Sequence, residues 1–192
     1  DKLGTAQVAA LSSTQVAAIE TGDLVKLTTD QVQSLSTSAV ASLTEAQVSN
    51  LTTTQLSAFK TEQLRALTSK QLIAMTPAQA ENLSSAQIGA FATDQIRALE
   101  TADLAAISSS NFAALSTAQV SAMTNVQVGA LTTGQVNQLG TAQLAKLSPS
   151  QVAKLGADKF TAMSNEQIKA LTTAQVAGLT STQVAGMTTD QI

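Results

Sequence analysis

The chain contains no cysteine, histidine, tryptophan or tyrosine, and only four phenylalanines and two prolines in 192 residues. Each absence closes a class of function. Without cysteine there is no disulfide framework and no thiolate site for zinc or iron–sulfur. Without histidine and cysteine, common general bases, nucleophiles and metal ligands are missing. A net charge of −3 and the scarcity of aromatics remove the basic patches and stacking platforms that nucleic acid recognition needs. No nucleic-acid partner is therefore expected. No apolar run approaches the roughly 18 residues a helix needs to cross a bilayer, so no membrane insertion of this segment is expected. Neither end resembles a targeting segment. Opening at Asp1 and closing at Ile192 midway through a repeat, the sequence reads as a fragment of a longer protein or filament. Charge is sparse as well, at 12% of residues, but the hydrophobic fraction is 44%. Disorder needs low hydrophobicity with high net charge, and this composition has neither.

What is present is one phrase, repeated. The stretch "LTTAQVAGLTSTQVAGMTTDQI", Leu171 to Ile192, states nearly the same eight residues three times. With Leu171 in slot one, the pattern L-[ST]-[ST]-x-Q-V-x-A runs from Leu3 onward with no insertion or deletion. Slot one is apolar in every copy, from Leu3, Leu11 and Ile19 to Met187. Slot six is apolar too, from Val8 to Ile192, with Ala80 its smallest occupant. Slot five is Gln in 19 of 24 copies, the exceptions being Asp23, Ala39, Asp103, Asn111 and Lys159.

The spacing selects among local structures. Slots one and six differ by an odd number, so a β-strand would place them on opposite faces. A continuous α-helix would need about 4.0 residues per turn, against 3.6. An 11-residue repeat, at about 3.67, already forces right-handed supercoiling. One short helix per repeat fits better. Slots two and five form the [ST]-x-x-Q capping box, and slots one and six are then N′ and N4, the hydrophobic-staple pair. Pro77 and Pro149 both fall in slot three, the N1 position that proline tolerates best. Eleven of the thirteen acids lie in slots two to five, and seven of the ten basic residues in slots seven and eight, as the helix dipole favours. Gly4, Gly140 and Gly156 replace the slot-two hydroxyl. Slot two also follows the preceding helix, where a glycine can take a left-handed C′ conformation. Ala and Gly in slots seven and eight would let successive backbones approach closely.

A single octad cannot bury enough apolar surface to offset the ordering of its backbone. Neighbouring units must share a core. The expected fold is all-α: a repeat solenoid or superhelix of one short capped helix per eight-residue repeat. Residues 1–192 are expected to form one continuous solenoid. The sequence shows no longer period that would state how many repeats make a superhelical turn.

Candidate chemistry is thin. The slot-five glutamines offer either an exposed amide row for a ligand or a structural ladder of caps and inter-repeat hydrogen bonds. Glu never occupies the slot. Stacked carboxylates would repel, whereas an amide both donates and accepts, and the structural ladder is favoured. Paired hydroxyls in slots two and three suit ice or glycan contact or O-glycosylation, but N-capping explains them more simply. Glu20/Asp23 and Glu100/Asp103, each within an "ETxDL" phrase, supply too few oxygens for calcium, which takes six or more. The four phenylalanines sit in slots one (Phe59, Phe91) and six (Phe112, Phe160), as core substitutions rather than a stacking surface. No glycine-rich phosphate loop appears. No catalytic, cofactor-binding or metal-ligating residue is expected, no cofactor is expected, and the chain does not read as an enzyme.

The phrases "LTTAQVAGLTSTQVAG", "LTEAQVSNLTTTQL" and "LSTAQVSAMTNVQV" resemble tandem octapeptide-repeat tracts of large bacterial adhesin-like or hemagglutinin-like surface proteins. The resemblance covers the entire chain and carries across no catalytic or binding residues. It implies an extracellular or cell-surface location and a role as stalk, spacer or filament segment. Self-association through inter-repeat stacking, end to end or lateral, is the partner expected. The alternative expectation is a glycan- or ice-binding module using the regular Thr/Ser/Gln face.

Overall fold

The computed structural model describes residues 3–192. Among the described residues there are 23 short α-helices, a closing 3-10 turn at Thr189–Gln191, and no strands. The helices run from α1 (Thr5–Ala9) and α2 (Ser13–Ala17) to α23 (Ser181–Ala185), one per octad, each four to six residues long. The chain is an all-α repeat solenoid.

Each helix begins in slot three because slot two caps it. Thr132 is representative: it sits in extended backbone, φ −74° and ψ 157°, and its hydroxyl accepts from the Gln135 N–H at 3.1 Å. The chain turns between helices through extended residues in slots one and two, as at Leu35 (φ −58°, ψ 135°) and Ser36 (φ −66°, ψ 157°). Pro77 and Pro149 stand at the first position of their helices. The left-handed conformation open to the slot-two glycines is not adopted. No described residue has a positive φ, and Gly4, Gly140 and Gly156 are extended N-caps with φ near −70°. The physical reason is that one residue cannot serve both helices as separate C′ and N-cap. The following helix demands an extended cap, and that demand wins.

Helices meet at a fixed stride. Each packs against the third helix along the chain, throughout the molecule. The polar bonds described below span 28 and 31 residues, so a superhelical turn contains between three and four octads, about three and a half. The small residues of slots seven and eight lie where turns approach. A Cβ on Gly129 would stand 3.3 Å from the Lys154 carbonyl oxygen, and one on Gly178 would stand 3.1 Å from Pro149 Cβ.

One continuous apolar core runs along the solenoid. Slot six is at most 1% exposed from Val8 to Phe160, and slot one at most 5% from Leu35 to Met163. The ends reveal which way each slot faces. Slot one is uncovered at the start, with Leu3 49% exposed and Leu11, Ile19 and Leu27 only partly buried, whereas Val8 and Val16 are buried. Slot six is uncovered at the finish, with Val176, Val184 and Ile192 exposed while Leu171 is buried. Slot one therefore packs toward the preceding turn and slot six toward the following one. The four phenylalanines occupy these core positions, none more than 3% exposed. Ala80 leaves the least side chain in slot six. There α10 (Pro77–Glu81) and α13 (Thr101–Ala106) pack more extensively than any other helix pair, closing the gap.

Candidate functional site

The polar array that links one turn of the fold to the next is the row of slot-five glutamines. From Gln31 to Gln183 its members are buried, Gln135 completely. These glutamines use both ends of the amide. Gln135 Oε1 accepts from the Thr132 N–H at 3.0 Å, completing the capping box of its own helix. Its Nε2 donates backwards across the groove to the carbonyl oxygens of Ile107 and Leu104, both at 2.8 Å. One side chain thus joins its helix start to the preceding turn.

The arrangement recurs along the molecule. Every slot-five glutamine from Gln31 to Gln191 donates to the slot-one carbonyl 28 residues earlier, at 2.5–2.8 Å. Most also reach the slot-six carbonyl 31 residues earlier, as Gln71 does to Val40 and Gln183 to Val152. Slot one has left the helix, so its carbonyl has no partner in the helical ladder. The glutamine satisfies it in a dry groove where an orphan carbonyl would be costly.

This geometry refines the reason for the missing glutamate. A carboxylate could accept the slot-two N–H but has no hydrogens for the two carbonyls. Two of the five exceptions also supply a donor. Asn111 Nδ2 donates to the Leu83 carbonyl at 2.9 Å, and Lys159 Nζ to the Gly129 carbonyl at 3.0 Å. Ala39 has no donor, and nearby serines link the turns instead: Ser42 Oγ donates to the Ser13 carbonyl and Ser13 Oγ to the Ser38 carbonyl. Asp23 lies in the first turn, exposed and paired with Lys26 at 2.8 Å.

Asp103 breaks the rule inside the core. It is 1% exposed, and its Oδ2 has no hydrogen-bond partner. The carbonyls a glutamine would bind from this position belong to Leu72 and Met75, and no donor reaches the Met75 oxygen among the described residues. Burial raises the Asp103 pKa to about 6, with the neighbouring Glu100 carboxylate adding to the rise. Glu100 itself is exposed. No group of three or more carboxylates is gathered among the described residues.

Slots two to four form the outer surface, where hydroxyls such as Thr172 and Thr173 are exposed. The glutamines do not share that surface, except for Gln7 and Gln15 in the first turn. An open depression between Arg97, Glu100, Thr101, Thr124 and Val126 brings no converging polar set together. No described helix is long and apolar enough to cross a membrane.

A solenoid whose periodic polar groups bond one turn to the next, with no gathering of three or more carboxylates among the described residues, defines a class: the helical repeat proteins, a class typical of non-catalytic structural proteins. The chain belongs to the ALTTAQ repeat family, whose model matches residues 16–53, 51–85, 96–133, 127–157 and 160–192. A comparison with curated proteins finds no match.

Proposed function

We propose that the chain is a structural element, a rod-like stalk or spacer in an extracellular, adhesin-like bacterial surface protein. One observation carries the reading: the slot-five amides, the most regular polar groups in the molecule, are occupied in holding consecutive turns together. A distal domain would do the binding, and this tract would set its distance from the cell. Adjacent packed helices lie about 8–10 Å apart. With about three and a half octads per turn, each added octad lengthens the rod by roughly 2–3 Å. Small-angle scattering and negative-stain microscopy on chains with twelve octads added should show an increase of about 30 Å at constant cross-section. A cross-section that grows instead, or a dimension that does not scale, removes the spacer reading.

The exposed hydroxyls support a second reading, a glycan- or ice-binding face. It rests on threonine and serine alone, since the interior glutamines are buried. Glycan arrays and ice-recrystallisation assays would reveal it. Replacing slot-three hydroxyls while keeping slot two should then abolish binding and leave the helical signal intact.

A further inference from the structure

In the interior of the solenoid the slot-five nitrogen lies in a ring of backbone oxygens. Gln95 Nε2 stands 2.9 Å from the Leu64 oxygen, 3.2 Å from that of Arg65 and 2.8 Å from that of Leu67. Gln167 meets the Val136, Asn137 and Leu139 oxygens at 3.0, 3.2 and 2.8 Å. Slots six, seven and one of the preceding turn thus converge on one point. Lys159 shows that such a ring accepts a full positive charge. Its ammonium takes the slot-five place and donates to the slot-seven oxygen of Gly129 at 3.0 Å.

At Asp103 the register sets the ring from Leu72, Ile73 and Met75. The Leu72 oxygen accepts from the Met75 N–H at 3.2 Å, while those of Ile73 and Met75 receive no donor among the described residues. The flanking octads bring N–H donors to this place, from Gln95 and Asn111. Asp103, 1% exposed, brings an unpartnered carboxylate oxygen. No basic side chain pairs with it among the described residues. We propose that this point binds a large monovalent cation, of potassium or ammonium size, held by the Asp103 carboxylate and the carbonyl oxygens of Leu72, Ile73 and Met75.

Size follows from the ring, whose oxygens lie 2.8–3.2 Å from their common point at Gln95. Calcium takes oxygens at about 2.3–2.6 Å and magnesium at about 2.0–2.1 Å, so both are too small. Potassium exchanges its hydration shell for backbone carbonyls, and ammonium donates to oxygens over the span the amide already shows. Charge follows from Asp103, since one carboxylate balances one positive charge. A buried carboxylate with no counter-charge is costly, and its pKa of about 6 reflects that cost. The site differs from a Glu100/Asp103 calcium site, because carbonyls supply most of its oxygens and Glu100 takes no part. It does not rest on the surface-stalk reading.

Native-state hydrogen exchange tests this on the 192-residue chain, in potassium, ammonium, sodium or tetramethylammonium chloride at equal ionic strength and neutral pH. In potassium and in ammonium, the amides around residues 72–75 and Asp103 should exchange more slowly. Their local opening constant should fall about tenfold for each tenfold rise in cation above its dissociation constant. Sodium should protect less, and tetramethylammonium, too large for the ring, not at all. Asp103→Gln brings its own N–H donors, so it should exchange alike in all four salts, and Asp103→Asn should do the same. Asp23→Gln, which removes an exposed carboxylate in another turn, should keep the full response. Equal exchange of the parent chain in all four salts, protection by sodium as strong as by potassium, or a cation response that survives in Asp103→Gln overturns the proposal. Failure here leaves the length-scaling test of the stalk untouched.

Discussion

At the scale of the residue, the decisive side chain is glutamine, because no other common side chain offers one acceptor and two hydrogens at that reach. Replacing Gln135 by Leu orphans the Thr132 N–H and the Leu104 and Ile107 carbonyls, and should cost about 3–5 kcal/mol locally. Gln7→Leu removes only an exposed cap contact and should cost less than about 1 kcal/mol. Native-state hydrogen exchange separates the two, and equal effects would refute the inter-turn role. Asp103 supplies the converse experiment. Its folded pKa, about 6, lies above its unfolded value, so the native state holds the extra proton between roughly pH 4 and pH 6. Stability contributed at this position is therefore present in acid and lost as pH rises through about 6. A shift from 3.8 to about 6 corresponds to about 3 kcal/mol. Asp103→Gln should stabilise the protein by about that much more at pH 7.5 than near pH 4. Denaturation of both proteins across this range checks it, and parallel pH profiles would be the contrary result.

At the scale of the element, helices of four to six residues are too short to persist alone. They exist because each has a capped start and a buried slot six. The cap contributes but does not decide. Ala92 caps α12 (Thr93–Ala98) with no side-chain bond, yet the Ala92 N–H still reaches Gln95 Oε1 at 2.8 Å. Ala92→Thr should restore the missing hydroxyl contact and stabilise the protein by about 1 kcal/mol. Thermal or chemical denaturation would register it, and a loss of stability would mean that the site lacks room for the side chain. The glycines of slot two show where a local rule misleads. Slot two satisfies the helix that follows it rather than the one before, and the extended N-cap conformation prevails.

At the scale of the whole molecule, the surface is 8849 Å². A compact protein of 19.6 kDa is expected to expose about 8600 Å². The turns therefore close on one another as tightly as layers of a globular domain. Because every octad meets an equivalent octad three or four places away, phase matters more than identity. Deleting the eight residues Ser116–Met123 should preserve helical content and shorten the solenoid by one step. Deleting only Ser116–Gln119 moves slots one and six out of the core for the neighbouring turns and should unfold that region. Circular dichroism and limited proteolysis distinguish the two outcomes. Equal tolerance of both deletions would contradict a packed core.

The repeat unit was legible in the residues alone, because a capping box, a staple pair and proline at N1 are all interactions within eight residues. The class of fold followed, since one octad cannot bury its own apolar pair. The structural role of the glutamines was legible in their chemistry, but their partners were not. Leu104 and Ile107 lie 31 and 28 residues before Gln135, and no local pattern marks a stride of three and a half octads when every octad is nearly alike. That stride comes from the angle at which successive short helices leave their extended joints, and from how closely small side chains let the turns approach. Tertiary packing alone decided it, and with it the burial of the amides and of Asp103.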